Sequence, residues 1–515
     1  MIKSKLSNFF KSIKRDNLLH IIFQILIFSS FWGSKCFPIT VPGIGELYLF
    51  RISLILFVCF YIYYNIKNKH NPFVGRTKIE YAVFSLAIIM ILYGFISLFR
   101  AIDFVYTFRR LFNLSFNIIF LIVIILFIDS KQKVKFTIIN CFVNFILLQL
   151  LGVYEIFNGG IFYDYYNNYK RFVLFNKAYQ HPLVSFSNTN DFSSMLIFCL
   201  PILVLALVLT INKTNERKSK IIYSIILVFI ISLTYFLIKA AGARLIYVSF
   251  AILLIGLAFY IVFYNRKLIH TLGTIVLCLF FVIVLENYTT ISINIKNYIN
   301  TVKYEAEIKK INKNTNLSES NTNDTNKDNI NEIEKPVILN PPSVVKVPLK
   351  DQFFTSDEES GELKLNITAS GGVRVALIIF AMDSFIDSKG MGVGLGNTEL
   401  MAKEVSAEKF GGLWSIHSFP ARIIADMGVF VIIPAVFVIW LIFKEIFNLI
   451  RKYRKSNFHI TVVIFTLIII LGFPFVSTSS SDAQDILSMW LSIAAIILLL
   501  TKIPELYSTD EIEIN

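Results

Sequence analysis

The residues best suited to chemistry stand in one short stretch, Gly411-Gly412-Leu413-Trp414-Ser415-Ile416-His417-Ser418-Phe419-Pro420, followed by Asp426 and Gly428. His417 is one of six histidines in the chain and lies where a long hydrophilic segment gives way to an apolar run. Ser418 has the side chain of a helix N-cap. Pro420 fits a first helical turn, where backbone N–H groups have no intrahelical partner. An imidazole just ahead of that turn meets the positive end of the helix, which disfavours the imidazolium and leaves a ring able to accept a proton. An anion is welcome at the same place. The chemistry this allows is proton abstraction beside an anionic substrate at a membrane surface. From this stretch alone, a packing histidine at an interface is the competing reading.

A second group is cationic. Arg100, Arg109, Arg110, Lys170, Arg171, Lys239, Arg244, Arg374 and Arg422 fall at the ends of apolar runs opposite the strongly basic loops, or in the long hydrophilic segment and the run after it. Membrane insertion disfavours basic residues on that side, so a set of them points to a retained need. Guanidinium groups clamp phosphate oxygens bidentately, which makes a phosphate-bearing ligand the simplest such need. Side chains snorkelling to lipid phosphates are the alternative for any single residue.

The elements that must position these groups are membrane spans. The 515 residues are 55% hydrophobic and 16% charged with a net charge of +14, and mean hydropathy is +0.65. Soluble domains average about 25% charged residues, so this balance excludes an ordinary soluble protein. The positive charge lies in short loops between apolar runs rather than in a nucleic-acid-binding patch. A hydrocarbon core of ~30 Å takes about 20 residues per helix. That rule predicts about twelve spans, near 18–34, 47–65, 80–99, 111–128, 136–157, 191–211, 220–238, 244–264, 268–287, 421–443, 459–477 and 485–502. The first reads as an uncleaved span rather than a signal peptide. The expected organisation is an N-terminal bundle over 1–287, a large extracytoplasmic loop over 288–420 and a C-terminal bundle over 421–515, with both termini cytoplasmic. Within the loop, 309–335 reads as a disordered polar tract, 336–351 as a proline-punctuated linker and 372–388 as an amphipathic helix against the outer membrane surface.

The five cysteines form no disulfide framework, and no metal-binding motif appears. Gly390-Met391-Gly392-Val393-Gly394-Leu395-Gly396-Asn397 lacks the Lys-Ser/Thr of a nucleotide loop and reads as a turn that lets backbone approach a neighbour. Asn190 and Asp191 open the sixth span, as helix caps or as polar groups facing a cavity. Tyr163, Tyr165, Tyr166 and Tyr169 before them suit either sugar stacking or an interfacial aromatic belt. Asp426 is too far along a helix from His417 for a direct hydrogen bond and is expected to pair across helices, with an arginine as the candidate partner. Gly428 is expected to permit a close helix contact.

These residues, in this order, resemble the bacterial O-antigen ligase and O-antigen polymerase superfamily, membrane glycosyltransferases acting on undecaprenyl-pyrophosphate-linked glycans. The likeness rests on His417-Ser418, nine residues and then Gly428, with Asp426 two before the glycine, all after a large loop. Asn188 and Asn190 at a mid-chain span, Arg244 opening a later one, Arg374 at the loop helix and the Gly392, Gly394, Gly396 series are similar too. Val431 and Val248 depart from the family pattern, which has a small residue and a leucine there.

The resemblance implies a GT-C-like, all-α polytopic fold and a metal-independent inverting transfer without a cofactor. His417 would be the general base or the positioner of an acceptor hydroxyl. Arg244 and Arg374, helped by Arg171 or Arg109, would hold the pyrophosphate, with Ser418, Asp426, Gly428, Asn190 and Arg422 in support. The expected partners are a lipid-linked glycan donor, a glycan acceptor, the bilayer and envelope polysaccharide assembly proteins, with no nucleic acid. The leading expectation is a polysaccharide polymerase at the outer face of the plasma membrane. A ligase acting on lipid A core, protein or another surface acceptor shares every motif, and a flippase for the same lipid-linked glycans shares the topology.

Overall fold

Apolar runs with few charges satisfy their backbone in lipid by closing every N–H and C=O bond within a helix. The computed structural model describes residues 15–33, 39–41, 45–158, 171–174, 177–186, 188–264, 273, 354–356, 363–365, 370–410, 412–454, 456–479 and 487–507. In chain order the first part holds α1 (Arg15–Ser30), the hairpin β1 (Ile39–Val41) and β2 (Gly45–Leu47), α2 (Leu49–Lys67), α3 (Lys78–Ser97), α4 (Phe104–Phe127) and α5 (Lys131–Asn158). Next come the hairpin β3 (Arg171–Leu174) and β4 (Lys177–Gln180), then α6 (Thr189–Lys213), α7 (Arg217–Ala241) and α8 (Ile246–Phe263). The last part holds the hairpin β5 (Phe354–Ser356) and β6 (Leu363–Leu365) and three loop helices, α9 (Ser370–Asp387), α10 (Asn397–Glu404) and α11 (Ser406–Lys409). It ends with α12 (Phe419–Met427), α13 (Val429–Lys452), α14 (Asn457–Ser479), α15 (Leu487–Thr501) and α16 (Ile503–Tyr507).

The protein is an all-α multi-pass membrane protein. Nine helices among the described residues, α2 to α8 with α13 and α14, are long and apolar enough to cross a membrane. The apolar part of α1 and the whole of α15 are shorter. Apart from residue 273, the span expected over 268–287 lies outside the described residues, as do the tract 309–335, the linker 336–351 and the tyrosines of 163–169.

Helix α6 is the centre of the bundle, buried from Asp191 to Leu200 without interruption. Helices α7, α14 and α15 pack around it, and α14 pairs with α8, α13 with α3 and α1 with α2. The α8–α14 seam is made close by small residues: Ser249 Oγ donates to the Gly472 carbonyl at 2.8 Å, and Gly256 lies under Ile468. Ile255, Ile433 and Phe447 stand largely exposed on the outside, which suits a lipid-facing surface.

One expectation is corrected. The span expected over 421–443 is two helices, because Gly428 adopts φ +60°, ψ −154° and breaks α12 from α13. Three two-stranded hairpins also interrupt the loops, among them β3–β4, in which Arg171 pairs with Gln180. The loop helix α9 falls within two residues of its expected bounds.

Candidate functional site

The site is assembled where the loop between α9 and α10 docks on the α12–α13 break. Glycines make the approach possible. Gly392 has φ +82°, and a Cβ there would lie 2.6 Å from the Asp426 carbonyl oxygen and 2.7 Å from the Gly428 nitrogen. A Cβ on Gly428 would run into the Gly390 carbonyl and Met391. Backbone bonds then join the two segments: Val393 N–H donates to the Ala425 carbonyl at 3.0 Å, Gly394 to Asp426 at 2.9 Å and Val429 to Gly390 at 2.9 Å. The glycine series is thus a clasp between chain segments, and the partner of Gly428 is a loop backbone rather than a neighbouring helix.

Asp426 belongs to this clasp. Its buried carboxylate accepts from Gly396 N–H at 2.9 Å, Thr398 N–H at 3.3 Å and Thr398 Oγ1 at 2.5 Å, at the N-terminus of α10. Burial pushes its pKa up to about 6, further raised by Glu399 and opposed by the Thr398 and Gly396 hydrogen bonds and Arg422. The carboxylate thus bonds to backbone and hydroxyl donors, and the charge that reaches it from an arginine is that of Arg422 on its own helix rather than across helices. Asn397 stitches the same turn to the α3–α4 connection, donating to the Arg100 and Val393 carbonyls and accepting from Ile102 N–H.

The residue at the centre of the site is one the sequence reading missed. Glu399 is fully buried and gathers donors from three directions. Its Oε2 accepts from Tyr106 OH at 2.7 Å and Arg110 Nη2 at 2.6 Å, both on α4. Its Oε1 accepts from Ser415 Oγ at 3.2 Å, Ile416 N–H at 3.3 Å and Arg422 Nη1 at 3.4 Å. Arg422 is itself only 2% exposed, so the two arginines and the carboxylate form a buried charged triad. An acidic residue in the first turn of a polar helix ordinarily complements the helix dipole at the surface, and nothing local marks this one as buried. The basic residue that α4 contributes here is Arg110, while its neighbour Arg109 stands exposed.

His417 follows directly on this anchored stretch. Ser418 is the N-cap of α12, its Oγ accepting from Ala421 N–H at 3.4 Å, with Pro420 in the first turn as its sequence position indicated. His417 is half-buried just ahead of the cap. Helix α9 covers the region: Ile378, Ala381 and Met382 pack against Ile416, Ala421 and Ala425. Arg374 lies one turn before Ile378 on the same stripe of α9. Burial, then the neighbouring charge of Arg244, pushes the Arg374 guanidinium down from its ordinary value. The field of Arg244, 130 positions earlier in the chain, thus reaches Arg374. Arg244 is exposed in the turn after α7, where His181 Nδ1 donates to the Ala240 carbonyl beside Gly242.

The other expected residues fall elsewhere. Arg171 lies in β3, and its side chain is outside the described residues. At the start of α6 the cap is Asn188, which accepts from Asp191 N–H at 2.9 Å and donates to the Asp191 carboxylate, leaving Asn190 in the first turn without a capping role. Among the described residues no three His, Cys, Asp or Glu side chains come together as a metal ion would require.

No protein-family model matches the chain, and no curated protein matches it.

Proposed function

We propose that the chain is a membrane glycosyltransferase that polymerises undecaprenyl-pyrophosphate-linked oligosaccharide repeat units on the outer face of the plasma membrane. The observation that carries this reading is the seat of Arg374 on the stripe of α9 whose Ile378 packs against Ile416, the residue before His417, within the field of Arg244. Guanidinium groups on two such elements can share the oxygens of one pyrophosphate bidentately. In the transfer, an acceptor hydroxyl oxygen forms a bond to the anomeric carbon from the face opposite the phosphate. The sugar–phosphate C–O bond breaks, and the anomeric configuration inverts. His417 takes the hydroxyl proton, and the undecaprenyl pyrophosphate leaves with the bonding electron pair. Arg374 and Arg244 meet the charge that develops on its oxygens. A positioned base contributes about 10²–10⁴-fold to such a step, and a fixed charge-stabilising donor about 10²–10³-fold.

The test is reconstitution of purified protein in liposomes with lipid-linked repeat units, with products resolved as a gel ladder. Wild type should build a ladder, His417→Ala should lose it by at least about 10²-fold, and Arg374→Lys should fall by about 10-fold or more, since a point charge does not replace a bidentate fork. Transfer seen only when lipid A core or a protein acceptor is supplied makes the protein a ligase. Movement of intact lipid-linked glycan across the bilayer without transfer makes it a transporter.

A further inference from the structure

Glu399 carries more than the clasp needs. Asp426 already caps α10, and Asn397 already ties the loop to the α3–α4 turn. The two oxygens of Glu399 divide their donors by direction. Oε2 faces Tyr106 and Arg110 on a membrane-spanning helix, and Oε1 faces Ser415, Ile416 N–H and Arg422 on the segment that carries His417. One carboxylate therefore links the frame to the stretch immediately before the histidine. On the other side of His417 the backbone turns tightly, with Ser418 N–H donating to the Ile416 carbonyl at 2.8 Å ahead of the α12 cap. His417 is pinned on both flanks, and on one of them the pin is Glu399.

Such an arrangement is costly to build. Burying one carboxylate with two guanidinium groups carries a desolvation penalty that a well-packed apolar cluster avoids, so the triad is weak as a device for stability alone. Its directional bonds hold geometry: five donors on two oxygens fix the carboxylate, and the carboxylate fixes the segment. Base catalysis requires that fixity, because a displacement of about 1 Å of a reacting group can cost about 10²-fold in rate.

We infer that Glu399 is a positioning residue, which sets where His417 stands relative to α4 and hence to the acceptor hydroxyl. The inference rests on the proposed glycosyl transfer for its kinetic consequence but not for its structural one. In Glu399→Gln the carboxamide keeps the volume and one acceptor oxygen, loses the charge that both arginines face, and turns an NH2 toward one set of donors. Glu399→Asp keeps the charge but is one methylene short of spanning both sides.

The experiment uses the full chain in liposomes with both variants, plus Ser415→Ala, which removes one donor from the His417 side and leaves the triad intact. Turnover is counted per bound donor lipid, so that misfolded protein drops out. The expected result for Glu399→Gln is a loss of at least about 30-fold in kcat with donor KM within about 3-fold of wild type, since no role in donor binding is assigned to Glu399. Glu399→Asp should be intermediate and Ser415→Ala a milder version of the same split. In parallel, the rate at which diethylpyrocarbonate modifies His417, read by mass spectrometry, should rise in Glu399→Gln and stay near wild type at the exposed His70 between α2 and α3. Turnover per site within 3-fold of wild type overturns the inference whatever the modification rate. If wild type transfers no glycan, the proposed function fails, and the modification rate alone judges Glu399: an unchanged rate overturns the positioning role.

Discussion

Two buried carboxylates, Asp426 and Glu399, do different work because different donors reach them. Asp426 receives two backbone N–H groups and a hydroxyl, and its pKa rises from 3.8 to about 6 because burial outweighs them. The sign of the pH dependence follows. A folded value above the unfolded one means that the folded protein takes up this proton first as pH falls. The group's contribution to stability is therefore greatest below about pH 4 and is lost as pH rises toward 6. A shift of about two units corresponds to on the order of 3 kcal/mol as an upper bound. Comparing wild type with Asp426→Asn by thermal unfolding in detergent between pH 4 and 7 isolates it, because Asn does not titrate. The wild-type advantage should shrink across that window, and a difference that grows with pH would contradict the assignment.

At the scale of elements, the break between α12 and α13 is what brings the loop helices to the bundle. The region φ +60°, ψ −154° occupied by Gly428 is essentially reserved for glycine, and its missing side chain is where the 390–392 backbone lies. Gly428→Ala should destabilise by more than about 2 kcal/mol and reduce activity with it, since strain of about 1–3 kcal/mol adds to a backbone clash. Gly412→Ala is the control: its φ is +83°, but nothing lies within 4 Å of the added Cβ, so only about 1–2 kcal/mol of backbone strain applies. Equal losses in the two variants would mean that the clasp is not the reason for Gly428. Helix positions were largely legible from hydropathy, and the cap at Ser418 from its place before Phe419 and Pro420. The break was not, because a single glycine inside an apolar run reads as a packing position until its φ is known.

At the scale of the whole molecule, basic residues recur in the loops at one end of the bundle. The end away from the site carries Lys67, Arg76, Lys131, Lys213, Arg217 and Arg451 in its short loops and helix ends. Positive loops are retained in the cytoplasm, which would put the clasp and His417 outside. In a cysteine-free background, Lys409→Cys in α11 should react with a membrane-impermeant maleimide in intact cells. Lys218→Cys near the start of α7 should react only after permeabilisation. Both positions are exposed. The reverse pattern would invert the orientation and remove the extracytoplasmic site.

The chain's letters alone determine that it enters a membrane many times, where most of its helices run, that a helix occupies the loop near 372–388 and that His417 stands before a capped helix. These are local properties: hydropathy, periodicity and capping act over a turn or a span. They also single out Arg244 and Arg374 as misplaced charges without saying that the field of one reaches the other. Tertiary structure alone decided that relation, the choice of Arg110 over Arg109 for the triad, the docking of the glycine loop on Gly428 and the burial of Glu399. Each depends on contact between segments far apart in the chain. A carboxylate in a helix's first turn has the same local sequence whether it faces water or two arginines, and only the packing of α4, α10 and α12 around it settles which.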